Sequence, residues 1–155
     1  GKMEIDIKAA YNDLENIKLL FNEYTTMLGV NLAFQGYDEE IKNLPGKYAL
    51  PYGRLYIAYY DNKAAGCIAL RKFENDGCEM KRLFVRPEYR HLKIGKKLVD
   101  KIIEDARELK YKYMVLDTLS NLHEAVSLYR KSGFQEVEAY YENPLDNVLY
   151  FKLEL

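Results

Sequence analysis

A strand that passes through a proline turn and a basic loop into a helix is the strongest constraint on what this chain can fold into. Residues 78–98 read Cys-Glu-Met-Lys-Arg-Leu-Phe-Val-Arg-Pro-Glu-Tyr-Arg-His-Leu-Lys-Ile-Gly-Lys-Lys-Leu. Glu79 to Val85 alternates with period two and predicts a strand, and Pro87, which has no N–H to give to a ladder, punctuates it. From about Ile94 the period changes. Leu98, Ile102, Ala106 and Leu109 recur at helical spacing, with Lys101, Glu104, Asp105 and Glu108 expected to face outward. Between Lys81 and Lys97 there are seven Lys or Arg residues and one acid, Glu88, although the chain as a whole carries a formal charge of −1. The first N–H groups of a helix lack intrahelical acceptors, and the helix dipole is positive at that end. A basic loop feeding such a start therefore predicts an anion site, and so a phosphate-bearing ligand.

The rest of the chain limits what that ligand can be. A near-neutral total argues against nucleic acid, whose partners are usually basic throughout, and favours one small polyanionic molecule. A length of 155 residues, 48% of them hydrophobic, is enough for one well-buried core and short for two, so residues 1–155 are expected to form a single domain. No apolar run approaches the roughly 20 residues needed to cross a bilayer and no secretory signal is visible, so no membrane partner is expected. Cys67 and Cys78 do not make a disulfide framework, and no Cys/His cluster has zinc-ligand spacing. A cytoplasmic protein without a metal is the expectation.

Strands are expected at Glu4 to Ala10, Arg54 to Tyr60, Ala65 to Lys72, Glu79 to Val85, Met114 to Thr118, Gln135 to Ala139 and Val148 to Leu155. The turns Asp61-Asn62-Lys63 and Asn75-Asp76-Gly77 carry hairpin chemistry, which makes the second to fourth strands antiparallel. A helix capped by Asn12 or Asp13 should run to Leu28 and stop at Gly29, with Leu14, Ile17, Leu20, Phe21 and Tyr24 on one side. A short helix over Asp38 to Leu44 ends at Pro45. Asn121-Leu-His-Glu124 resembles a capping box opening a helix that ends at Gly133, with Phe134 as its C-terminal apolar contact.

Two segments in this order carry a family likeness. Val85-Arg-Pro-Glu-Tyr-Arg90-His-Leu-Lys-Ile-Gly95, followed by Leu128-Tyr129-Arg-Lys-Ser-Gly133-Phe134, resembles the GNAT superfamily of acetyl-CoA-dependent N-acetyltransferases. Its pyrophosphate loop is written Arg/Gln-x-x-Gly-x-Gly/Ala. Arg90 and Gly95 fill the outer positions, and Lys93 stands where the first glycine is expected, a departure that carries strain if its φ is positive. The resemblance covers almost the whole chain. It implies an α+β domain whose mixed sheet of about seven strands is flanked by about four helices and splayed between the fourth and fifth strands.

The same likeness implies roles. The exposed edge Leu83, Phe84 and Val85 would pair with the pantetheine amides, and a backbone N–H near Phe84 would serve the oxyanion. Arg90, His91, Leu92, Lys93, Ile94, Gly95 and Lys96 would wrap the pyrophosphate of acetyl-CoA, with no metal. Tyr129 falls where the family places a tyrosine beside the thioester sulfur, and a phenol near pKa 10 can donate to a thiolate. Glu79 is the candidate base, because some family members carry a catalytic glutamate at its offset, four to six residues before Leu83 to Val85, and period-two alternation would place Glu79, Lys81, Leu83 and Val85 on one face. Surface pairing with Lys81 or with a cationic substrate is its plain alternative, and Asp117 is a second carboxylate on the opposite strand. Asn121 reads either as a helix cap or as a pantetheine contact. His123 reads as a surface residue, and neither cysteine is placed as a nucleophile, so direct transfer is expected. Tyr140, Tyr141 and Glu142 would help form the acceptor walls.

The activity implied is acetyl transfer to a primary amine of a small molecule, by a monomer or homodimer. Acetylation of a protein or peptide amine, and a lapsed CoA-binding sensor, are the other readings that the sequence leaves open.

Overall fold

The computed structural model describes residues 4–155. Strand β1 (Ile5–Ala9) leads into helix α1 (Leu14–Leu28), and the short helix α2 (Tyr37–Lys42) follows. Strands β2 (Arg54–Tyr60), β3 (Lys63–Phe73) and β4 (Gly77–Val85) come next, then helix α3 (Ile94–Glu108), β5 (Tyr113–Leu119), helix α4 (His123–Lys131), β6 (Gln135–Val137) and β7 (Val148–Glu154). All seven strands form one sheet in the order β1-β2-β3-β4-β5-β7-β6. Every neighbouring pair is antiparallel except β4 and β5. This is the expected α+β architecture, with the expected element order.

The sheet separates two cores. Ile17, Leu20 and Phe21 of α1 pack with Leu55, Ile57, Cys67, Ala69 and Phe84 on one face. Leu98, Ile102 and Ala106 of α3 pack with Tyr56, Ile68, Leu70 and Met80 on the other. Gly29 ends α1 in a left-handed conformation, φ 67°, as its position in the sequence predicts.

Three local expectations are corrected. Asp105 is not on the outer face: it is 4% exposed. It lies seven residues, two helical turns, after Leu98, so spacing puts it in the apolar stripe despite its charge. There it accepts a hydrogen bond from the Tyr56 hydroxyl and pairs with Arg54 and Lys101, each at 3.4 Å. Asn121 does not cap α4. Leu122 holds the cap position and no side-chain cap bond is made, so the capping-box pattern is not used.

Third, Glu79, Lys81, Leu83 and Val85 do not share a face. Ala69 pairs with Lys81 but Cys67 pairs with Phe84, so Arg82 and Leu83 together oppose Ile68. Arg82 takes φ 60° at this bulge. One extra residue inverts the alternation: Leu83 and Val85 pack into the α3 core, while Glu79, Lys81 and Arg82 line a cavity on the other side.

Candidate active site

Strands β4 and β5 are in register over only three pairs, Gly77 with Tyr113, Cys78 with Met114 and Glu79 with Val115. Beyond Glu79 they diverge, as expected, leaving the inner edge of Met80 to Val85 without a strand partner. β5 stays paired with β7 along its whole length. The resulting cleft, about 650 Å³, is walled by Leu83, Phe84 and Val85 on one side and by Thr118 and α4 on the other. An unpaired strand edge in a cleft offers amide and carbonyl groups to an extended ligand.

At the mouth of the cleft lie Arg90, His91, Lys93, Ile94 and Gly95. His91 and Lys93 take φ of 72° and 63°, so the non-glycine at the expected glycine position does adopt a left-handed conformation. Such a residue stores on the order of 1–3 kcal/mol. Lys93 is the cap residue of α3 and gives no side-chain cap bond, leaving the first-turn N–H groups free for an anion. A Cβ built on Gly95 would meet Leu128 Cδ2 at 3.5 Å, an ordinary contact. The fold tolerates a side chain there, so the need for glycine would come from a ligand lying against the turn. These features fit a pyrophosphate.

Two loop residues lie outside the cleft lining. Leu92 packs half-buried against the α3 core. Lys96 is exposed and pairs with Asp100 at 2.6 Å. Arg90 donates from Nε to the Val85 carbonyl at 3.3 Å and so holds the turn. Asn121 lines the cleft, and so does His123, which sequence reading had left on the surface.

Tyr129 lines both the cleft and a small cavity of about 40 Å³ that continues from it between β4 and β5. Its ring is fixed by edge contact with Phe134 at 6.0 Å and by Phe151 at 6.2 Å. Gly133, at φ 101°, turns the chain so that the Phe134 N–H donates to the Tyr129 carbonyl at 3.1 Å. The motif Tyr-x-x-x-Gly-Phe is thus a device that holds the tyrosine. Burial raises the Tyr129 pKa above the ordinary phenol range, with Tyr24 and Asp117 adding to it. The hydroxyl has no hydrogen-bond partner in the described residues.

Beyond the small cavity opens a larger one, about 510 Å³, walled by Phe34, Phe73, Tyr140 and Tyr141. Its polar groups are tied together. Arg71 Nε donates to Glu79 Oε1 at 2.8 Å, and the Tyr140 hydroxyl donates to Glu79 Oε2 at 2.6 Å. Glu79 itself is 2% exposed. The Tyr141 hydroxyl donates to Asp117 Oδ2. Arg82 donates to both oxygens of Glu40 at 2.9 and 3.0 Å. Glu142 lies on the rim.

Sequence reading missed Tyr24, Gln35, Glu40 and Arg82 as site residues, and the likeness placed Met114 to Thr118 on the far side of the cleft, where Thr118 does line it. Tyr24 and Met27, three apart on α1, both reach the cleft, and Tyr24 also reaches the small cavity. Helical spacing alone assigned Tyr24 to the core face, and nothing in the sequence says which end of α1 meets the splay. Gln35 and Glu40 come to the site by contacts across more than 40 residues of sequence.

A model of the acetyltransferase (GNAT) family matches residues 17–134. An uncharacterized N-acetyltransferase of Schizosaccharomyces pombe is 46% identical over 92% of this chain and 89% of its own. Among solved structures, an acetyltransferase of the GNAT family from Staphylococcus aureus superposes with a TM-score of 0.81 at 24% identity, covering 97% of this chain and 99% of that one. A candidate streptothricin acetyltransferase of Bacillus anthracis, solved with acetyl coenzyme A, gives a TM-score of 0.63 at 26% identity, covering 73% of this chain and 69% of that one.

Proposed function

Because the chain belongs to the GNAT family and is an acyltransferase, we propose that it moves an acetyl group directly from acetyl-CoA to a primary amine of a small molecule. The observation that carries this reading is the Tyr129 hydroxyl, which has no hydrogen-bond partner among the described residues and stands, on an otherwise buried ring, where the splayed cleft meets the small cavity. The β4 edge from Leu83 to Val85 receives the pantetheine arm as an added strand, and the start of α3 receives the pyrophosphate. A backbone N–H near Phe84 stabilises the oxyanion. As the C–S bond breaks, the Tyr129 hydroxyl acts as the acid by donating a hydrogen bond to the charge developing on sulfur, and a thiolate with an ordinary pKa of about 8.5 is a weak enough base to leave on that support.

The amine must lose a proton before or during attack. Both Glu79 oxygens already accept hydrogen bonds, so Glu79 acts through Tyr140: the Tyr140 oxygen takes the amine proton as its own passes to Glu79 Oε2. Asp117 is the competing acceptor, since it lines the small cavity together with Tyr129. Asn121 contacts the pantetheine arm in this reading. A walled cavity of about 510 Å³ supports a small acceptor over a peptide, because it lies within the usual size of small-molecule sites.

The free, buried Cys67 and Cys78 support a reducing, cytoplasmic setting. Among the described residues no helix is long and apolar enough to cross a membrane.

A thiol-release assay with acetyl-CoA over a panel of amines tests the reaction. Release that depends on the amine, with an acetylated amine as product, is expected. CoA binding without release on any amine would leave the sensor reading in its place.

A further inference from the structure

The second cavity holds a charge arrangement that acetyl transfer does not require. Four cations and five carboxylates line it: Lys47 with Glu39, Glu40, Glu74, Glu79 and Glu142, and, from neighbouring positions on β3 and β4, Arg71, Lys81 and Arg82. Arg71 is neutralised by Glu79 at 2.8 Å and Arg82 by Glu40 at 2.9 Å. Lys81 differs from both. Its ammonium donates to Gln35 Oε1 at 3.2 Å, the same neutral oxygen that Arg82 Nη1 uses at 3.0 Å. It forms no salt bridge among the described residues.

Two cations sharing one amide oxygen in a half-buried site is an unfavourable arrangement. An ammonium removed from water is stabilised only by a partner that carries opposite charge. Burial pulls the Lys81 pKa below the ordinary lysine range; Glu79 and Asp117 oppose that pull, and Arg82 and Arg71 add to it. An incoming carboxylate would meet Lys81 with Arg82 behind it, and a charge-assisted bond there is about twice as strong as a neutral one.

Position fixes where that anion sits on the acceptor. Lys81 lines the small cavity with Tyr129 as well as the larger one. A group held by Lys81 is therefore close to the reacting centre, and its amine is only a few bonds away. Phe73 and Tyr140, with ring centres 5.3 Å apart, offer an apolar surface to the rest of the molecule.

Resting on the acyl-transfer reading above, we propose that the acceptor is an amino acid with an apolar or aromatic side chain, and that Lys81 selects it by binding its carboxylate. A peptide N-terminus, which has no carboxylate beside its amine, does not satisfy Lys81.

The test uses matched triples on the full chain: phenylalanine, phenylalaninamide and phenethylamine, and the same series built on methionine. Thiol release gives kcat/KM for wild type, Lys81→Met and Lys81→Arg. The wild type is expected to prefer the acid over its amide by roughly tenfold or more, as a charge-assisted bond implies. Lys81→Met should bring the acid down to the level of the amide, and Lys81→Arg should keep part of the preference. Equal use of the amide or amine by wild type would overturn the proposal. So would a Lys81→Met variant that lowers all three members by the same factor, which would make Lys81 part of the proton path. Calorimetric titration of the CoA-loaded protein with the same triples keeps the two claims apart. Binding of the acid in preference to its amide, lost in Lys81→Met, supports Lys81 as selector even if no thiol is released and the acyl-transfer reading fails. Equal binding of acid and amide overturns the selector role even if thiol is released.

Discussion

The two sides of the splay are built by different means. The cleft side is made mostly of main chain: an unpaired strand edge, a turn and the first amides of a helix, all within residues 80–95. The side proposed for the acceptor is made of side chains from α1, α2, β3, β4, β5 and the segment before β7, joined by ion pairs and tyrosine hydrogen bonds. A site made of backbone can accept many sequences provided the conformation is kept. A site made of side chains is specific to its residues, and this is where relatives of one fold can differ in acceptor.

The cleft side breaks most easily where bulk replaces backbone access. Gly95→Val should weaken CoA binding by about 10²-fold or more, as expected for losing several hydrogen bonds to charged oxygens. Gly95→Ala, whose added carbon meets only an ordinary contact, is the control for folding. Isothermal calorimetry reads both. An unchanged affinity in a folded Gly95→Val protein removes the α3 start as the phosphate site.

At the border of the two sides, Tyr129→Phe should lower kcat on the order of 10²-fold, typical of a general acid. CoA affinity should stay within about twofold, since charge on sulfur develops only in the transition state. Single-turnover kinetics check this, and a full rate in the chemical step would reduce Tyr129 to packing.

On the acceptor side, Glu79→Gln keeps shape and removes the proton acceptor. We expect kcat/KM to fall about tenfold or more at neutral pH and to recover partly as pH rises and free amine becomes available. Tyr140→Phe should show the same pH profile if it relays the proton. Should Asp117→Asn give that profile and Glu79→Gln only a raised KM, the base is Asp117 and Glu79 binds substrate.

The smallest effect concerns stability at high pH. Burial pushes Tyr24, which touches both sides, up to about 12, with Asp117 among the lesser contributors. The folded protein therefore holds this proton where an unfolded phenol near pKa 10 has released it. That stabilisation is complete below about pH 10 and is lost as pH rises from there to about 12. The melting temperature should fall across this window in wild type, and less steeply in Tyr24→Phe. Parallel curves would show that Tyr24 is not the group titrating.

This contrast also explains what the sequence revealed. The strand over Arg54 to Tyr60, the stop at Gly29 and the basic loop are each specified by residues a few positions apart, so period and turn chemistry suffice, whereas Tyr129 stands out among fifteen tyrosines only through the family likeness of its surroundings. Asp105 misled because charge was weighed above spacing, and its partners Tyr56 and Arg54 lie on another strand. The Arg82 bulge left no mark, since a non-glycine at φ 60° reads like any other strand residue. Once it was missed, Glu79 was given the wrong face-mates: it lines the larger cavity with Lys81 and Arg82, not with Leu83 and Val85. Arg82 and Glu40 stand 42 residues apart, and only the folded chain reveals that they meet.

The three-pair seam between β4 and β5 has a consequence for the lifetime of the protein. Along most of their length the two halves of the sheet lack direct cross-strand hydrogen bonds, so the closed arrangement gains from any molecule that bridges the gap. A bridging ligand at a hundred times its dissociation constant adds about 2.7 kcal/mol to the folded state by mass action. The supply of acetyl-CoA would then govern how often this chain opens to proteases as well as how fast it works.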